Sequence, residues 1–193
     1  MILPILSYGS PILRKECDEF EEGESLKELV SDMFETMYAA SGVGLAGPQI
    51  GISKRIFTVD ASPFAEPEEG EELDEKLKEL KDFKKVFVNP IIENETGSPW
   101  PFSEGCLSIP GIREDVERKA VIKISYYDEN WNFLEESYQG IAARIIQHEY
   151  DHIEGILFTD HLNPLKKRLM KRKLEEISKG KVDVNYKMKF FKK

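Results

Sequence analysis

Within the run QHEYDHIEG, His148 and His152 stand four residues apart, and Glu149 directly follows the first. Residues at i and i+4 are neighbours on one face of an α-helix, so the two imidazoles can offer nitrogen atoms to a single metal ion. Glu149 is turned about a quarter revolution away, beside the open coordination position of such a site, where a carboxylate can take a proton from water. The chemistry this pattern can support is metal-assisted hydrolysis of an amide. Five residues of this kind also occur on ordinary polar helices, so the rest of the chain must decide.

The helix that carries the pair is read from Ile141 to Ile153. Ile141, Ile145, His148 and His152 share one apolar face, and Gly155 is placed to stop the helix. Two imidazoles and a carboxylate on an apolar face are costly to desolvate without partners, which favours a bound ion. A hydrolytic site needs a third protein ligand. The histidine that some HExxH hydrolases carry six residues past the second is replaced here by Phe158. The glutamate that others carry further downstream is missing from the basic run KKRLMKRK, and Glu175 and Glu176 follow on what reads as a surface helix. His161 lies beyond the helix stop. Cys106 remains, in EGCLS, flanked by glycine and apolar residues, and a thiolate with two imidazoles leaves one corner of a tetrahedron for water.

The elements around this helix can be read in outline. Glu24–Ala40 has Leu26, Leu29, Val30, Met33, Met37 and Tyr38 at helical spacing. GVGLAGPQIG is too rich in glycine for a helix interior and too apolar for a solvated loop. Arg55–Asp60 and Lys85–Ile92 read as strands, the second with a proline suited to an edge or a strand end. VERKAVIKISYYD reads as one strand, paired as a hairpin with NFLEESYQG. Asn163 and Pro164 cap a last helix, and DVNYKMKF suggests a short edge strand. The fold class expected is α+β: short antiparallel strands around a buried central helix that bears HExxH, with one helix before it and one after.

The 193 residues, 40% hydrophobic and 33% charged, suit one globular domain over 1–193, with the acidic stretch 61–82 as a surface insertion. A net charge of -9 argues against DNA or RNA as a partner. No run approaches the roughly 18 apolar residues of a membrane span, and no signal-like segment leads the chain. Two distant cysteines point to a reduced, cytoplasmic protein.

GVGLAGPQ, EGCLS and QHEYDH, in that order, resemble the three motifs of peptide deformylases, and the resemblance extends over most of the chain. It implies hydrolysis of the N-formyl group from the N-terminal methionine of new polypeptides, with release of formate. Carried over by position, it implies Cys106, His148 and His152 as metal ligands, with Fe(II) as the usual ion and zinc, nickel or cobalt able to substitute. It also implies Glu149 as general acid and base, and the Gln49 amide with the Leu107 N–H as donors to the developing oxyanion. A formyl-methionyl peptide would add as a strand between the glycine loop, at Gly44, and Ile109–Gly111. Val43, Leu107, Ile145 and the edge of the His148 ring would wall a methionine pocket. Transient contact with the ribosome follows from such a substrate, and the helix from Leu165 is the surface expected to make it.

Blander readings stand beside these. Glu104 reads as a structural partner for an arginine such as Arg113, Asp151 as an orienting group or a surface carboxylate, and Cys17 as incidental. Trp100, Phe102 and Trp131 require nothing beyond packing or a place on the rim. An HExxH endopeptidase is the alternative enzyme, and a structural metal site without activity the alternative outside catalysis.

Overall fold

The computed structural model describes residues 1–66 and 75–191. Its elements run β1 (Ile5–Leu6), α1 (Lys27–Ala39), β2 (Gly44–Ala46), β3 (Ile56–Asp60), β4 (Lys84–Thr96), β5 (Trp100–Cys106), β6 (Ile109–Arg118), β7 (Val121–Tyr127), β8 (Phe133–Gln139), α2 (Gly140–Ile153), α3 (Pro164–Ser178) and β9 (Met188–Lys189), with short 3-10 turns between them. It is a mixed helix-and-sheet fold with three α-helices among the described residues. One sheet has the order β2-β3-β4-β7-β8, β5 and β6 form a separate hairpin, and β1 pairs with β9.

Three apolar clusters hold these layers together. Ala143 and Ile146 of α2 pack with Phe57, Val59, Phe87, Ile122 and Ile124 of the sheet. The stripe Val30, Met33 and Met37 of α1 packs with Leu45, Ile56, Val86 and Val88. Met170, Leu174 and Ile177 of α3 cover Ile109, Ile112, Val116 and Phe158 below the hairpin. Burying each large aliphatic side chain of this kind contributes about 1.5–3 kcal/mol, so HExxH rides on a helix fixed by its own apolar neighbours. The α2 helix ends at Gly155, whose φ of 73° is the left-handed conformation that closes a helix. A Cβ there would lie 2.8 Å from the carbonyl carbon of Arg14. At the start of α3, the Asn163 side chain accepts from the Lys166 N–H at 2.9 Å, with Pro164 in the first turn.

Several local expectations are corrected. VERKAVIKISYYD is two strands, broken at Lys119–Ala120, so Val116 and Arg118 belong to β6 and Ile122 to β7. Pro90 lies at neither an edge nor a strand end: β4 runs between β3 and β7, and the chain absorbs the missing N–H in a bulge between Val88 and Ile91. Asn89 takes φ of 47° there, and the Pro90 carbonyl accepts from Arg55 Nη2 at 2.9 Å. GVGLAGPQIG contains a strand, β2, followed by a 3-10 turn over Gly47–Ile50. The tail strand β9 pairs in parallel with β1, so the sheets are not all antiparallel, and β4 and β6 are not short. Cys17, read as incidental, is buried in the cluster that holds Ala46 and Ile153, and its N–H donates to the Ile153 carbonyl at 2.8 Å.

Of the acidic stretch, residues 67–74 lie outside those described. Its two ends are anchored: Ala65 and Leu80 are buried in the sheet cluster, with Phe64, Leu77 and Phe83 packed against it.

Candidate metal centre

The α2 helix presents His148, Glu149 and His152 from one segment, and the β5–β6 hairpin brings Cys106 to them from the far side of a groove. Cys106 is the last residue of β5, where the pairing shifts register after Gly105 and Cys106 comes to face Ile109. Its Sγ lies 3.2 Å from His152 Nε2. One ligand atom from each of Cys106, His148 and His152 falls within 4.8 Å of the others, the one such group among the described residues. A soft sulfur with two imidazoles is a donor set that suits iron, zinc, nickel or cobalt. Burial alone would raise the Cys106 thiol, but the neighbouring His152 and His148 outweigh it and bring its pKa down to about 5. The sulfur therefore favours the thiolate form that binds metal. These residues fit a divalent cation on their own chemistry.

Behind His148 sits Glu104. Its Oε2 is 2.9 Å from His148 Nδ1, which leaves the other ring nitrogen for the groove. Glu104 is buried, and the partner expected for it, Arg113, is elsewhere, donating to the Ser103 carbonyl at 2.6 Å. Arg118 takes its place with two bonds, Nε to Oε1 at 2.7 Å and Nη2 to Oε2 at 3.0 Å. Arg144 adds a third from Nη1 to Oε1 at 3.0 Å. Register explains the exchange: Glu104 faces Glu114 across the hairpin, and Arg118 reaches it from the strand end. Burial would raise the Glu104 carboxyl, but His148 and Arg118 hold it well below the usual carboxylate range. Replacing Arg118 by leucine is expected to cost about 3–5 kcal/mol, because it strips a buried carboxylate of its main partner; urea unfolding of the two proteins side by side measures it.

On the outer side, Arg118 Nη1 also donates to Asp151 Oδ2 at 2.7 Å, and His161 Nε2 lies 2.7 Å from the same oxygen. Asp151 is thus a partly buried link between Arg118 and His161.

Glu149 is buried, and its Oε2 has no hydrogen-bond partner. Burial raises its pKa to about 7, and the nearby imidazoles only partly offset that. Its carboxylate packs against Gly44 so closely that a Cβ at that position would come within 2.3 Å of Oε1. Only glycine leaves room. Gln49 is held from the same loop: its Oε1 accepts from the Ala46 N–H at 2.8 Å, which turns Nε2 toward Cys106 Sγ at 3.5 Å and Ser108 Oγ at 3.4 Å. Those two contacts are long, so the amide N–H groups can be redirected to a stronger acceptor.

A groove of about 460 Å³ opens over these residues. Val43, Gly44, Gln49, Cys106, Leu107, Ile109, Gly111, Ile145, His148 and Glu149 all line it, so every residue singled out from the sequence except His152 contributes to its wall. His152 lies beneath, 1% exposed. Phe64, Arg144 and Tyr186 line it as well and were missed, while Phe102, read from the sequence as packing or rim, also stands on its wall. Arg144 had a signal, as a charge in the apolar run IAARII must find a buried carboxylate. It stacks on Trp100 with 4.5 Å between guanidinium and ring. Phe64 and Tyr186 had none, since long-range chain paths bring them in.

The family model described as Polypeptide deformylase matches residues 2–168. The peptide deformylase of Christiangramia forsetii is 57% identical over 191 residues, which cover 98% of this chain and 96% of that relative. The chain belongs to the peptide deformylase family. Deformylases hydrolyse the N-formyl group from the N-terminal methionine of nascent chains, and this protein is a hydrolase of that kind in protein synthesis. A peptide deformylase of Flavobacterium psychrophilum is 52% identical over 100% of this chain and 99% of its own length. Among solved structures, a peptide deformylase from Legionella pneumophila superposes with a TM-score of 0.76 at 37% identity, covering 94% of this chain and 98% of that one. The family uses a single metal, and the Cys106, His148 and His152 group of this deformylase could bind one. Among the described residues no helix is long and apolar enough to cross a membrane.

Proposed function

We propose that Cys106, His148 and His152 hold one divalent cation, Fe(II) in the cell with zinc, nickel or cobalt able to replace it, and that the buried helix α2 is the central element of a single deformylase domain. The observation that carries this reading is the convergence of a thiol and two imidazoles beside an unpartnered carboxylate on the wall of one groove. When bound, the cation supplies Lewis acidity, making water nucleophilic near neutral pH.

The residues of the chain do the rest. Glu149 accepts a proton from the attacking water on its carboxylate and returns it to the leaving amine, so that the C–N bond breaks as formate and a free N-terminus form. The Gln49 Nε2–H and the Leu107 N–H donate to the formyl oxygen as negative charge develops on it, a contribution of about 2.7–4 kcal/mol per donor in comparable sites. The peptide lies as an added strand between Val43–Gly44 and Ile109–Gly111, read through its main chain, which suits an enzyme that accepts most nascent proteins. Val43, Leu107, Ile145 and the His148 ring edge take the methionine side chain. The deciding assay supplies a formyl-Met tripeptide and a longer formylated peptide: formate should appear with every internal peptide bond intact, and internal cleavage would favour the endopeptidase reading instead.

If iron is the native ion, activity should decay in air through oxidation of the metal or thiolate, while nickel-loaded protein lasts far longer. Equal lifetimes for the two forms would exclude iron sensitivity. We place the protein in the cytoplasm beside the ribosome. Leu165 and Leu169, 65% and 75% exposed on α3 among Lys166, Lys167, Arg168 and Lys171, support a contact with an anionic, partly apolar surface. The Leu169→Asp protein should lose co-sedimentation with ribosomes, and unchanged co-sedimentation would remove α3 as the contact.

A further inference from the structure

The turn between β5 and β6 consists of two residues, Leu107 and Ser108, since Cys106 pairs directly with Ile109. Two-residue hairpin turns are stable by themselves when at least one central residue has positive φ, which matches the twist of the strands. Neither Leu107 nor Ser108 is among the residues with positive φ. This turn must be held from outside, and three contacts hold it. The Tyr8 N–H donates to the Ser108 carbonyl at 2.8 Å. Gln49 Nε2 is 3.4 Å from Ser108 Oγ. The Tyr186 hydroxyl donates to the Leu107 carbonyl at 2.7 Å.

Tyr186 is brought there by the end of the chain. Just beyond it, β9 pairs in parallel with β1, and the Ile5 N–H donates to the Lys187 carbonyl and the Ser7 N–H to the Lys189 carbonyl. Tyr186, like Leu107 and Met188, packs against the cluster that includes the apolar stripe of α1, and it lines the groove. A phenol has an ordinary pKa of about 10 and keeps its proton at neutral pH. The Tyr186 hydroxyl is therefore a permanent donor aimed at a residue whose own N–H is the proposed oxyanion donor.

We propose that Tyr186 is a positioning residue for the deformylation reaction: by anchoring the Leu107 carbonyl it restrains rotation about the Leu107 Cα, and so the orientation of the preceding peptide unit, which carries the Leu107 N–H toward the reacting carbonyl oxygen. This rests on the functional reading above. The hydroxyl touches the Leu107 main chain and not the side chain that walls the methionine pocket, so its loss should appear in kcat rather than in KM. The C-terminal segment becomes a strap that completes the site from across the molecule.

The test is the Tyr186→Phe protein, which keeps the ring and its packing and loses the hydroxyl. Its kcat for a formyl-Met tripeptide should fall about tenfold, the equivalent of one net hydrogen bond, with KM within roughly twofold of the parent. Metal content per chain should match the parent, and the Leu107 carbonyl ¹³C resonance should shift upfield in loaded and metal-free protein alike, as that carbonyl loses its hydrogen bond. A second protein ending at Lys181, which lacks Tyr186 and β9, should show the same kcat loss; if it fails to fold, Tyr186→Phe alone decides. An unchanged kcat, a change confined to KM, or a loss that follows metal content would each overturn the proposal. If the parent protein itself releases no formate, the functional reading fails instead, and the Leu107 carbonyl resonance still reports on the contact.

Discussion

Replacing Cys106 by alanine should reduce bound metal from about one ion per chain to near zero, and formate release should fall to the level of metal-free protein. The size of the effect follows from the donor set. Two imidazoles from one helix turn supply only two corners of a tetrahedron, and Cys106 is the third member of the one metal-binding group among the described residues. The fold should survive, because Cys106 is half-buried at a strand end and the surrounding cluster of Leu13, Ile109 and Ile112 does not depend on it. Metal analysis by mass spectrometry, with a thermal midpoint as control, measures both. Full occupancy with activity in Cys106→Ala would mean that another group is the third ligand.

Replacing Glu149 by glutamine should leave the metal in place and lower kcat by about 10²–10⁴, the range over which a positioned acid–base group acts. This separates a catalytic carboxylate from a structural metal site, which would be indifferent to the change. Stability gives an independent reading of the same residue in metal-free protein. The Glu149 carboxyl is raised to about 7 in the folded chain, against about 4.3 for an unperturbed glutamate. A carboxyl raised on folding leaves the native state untaxed below the unfolded pKa; the cost builds as the pH climbs past that value and is complete above the folded one. Glutamine cannot ionise. The Gln protein should therefore melt higher than the parent at about pH 8 and show no such gain at about pH 4. A gain of equal size at both would mean that charge burial at this position is not the cause.

How far the sequence goes depends on whether a residue's environment is local. The helix around His148 could be read because its apolar face repeats at helical spacing and Gly155 ends it, all within a dozen or so positions. The capped start of α3 at Asn163 is equally local. The bond between Glu104 and Arg118 is not, because it depends on the register of a hairpin, and one strand was merged with its neighbour across Lys119–Ala120. Without that break Arg113 looked as near to Glu104 as Arg118 did. Pro90 suggested an edge because a bulge in a central strand cannot be anticipated without knowing its neighbours. The charges near Cys17 in sequence hid its burial against Ile153. Tyr186 lies 79 residues from Leu107, and only the parallel pairing of the two chain ends brings them together.

The convergence of one sulfur and two ring nitrogens on a single ion is what every catalytic step above requires. X-ray absorption at the zinc edge of zinc-loaded protein tests it most directly. The spectrum should fit one sulfur at about 2.3 Å, two nitrogens at about 2.0–2.1 Å and one further oxygen exchangeable with solvent. A first shell without sulfur, or one filled by four protein side chains with no place for water, would contradict the account.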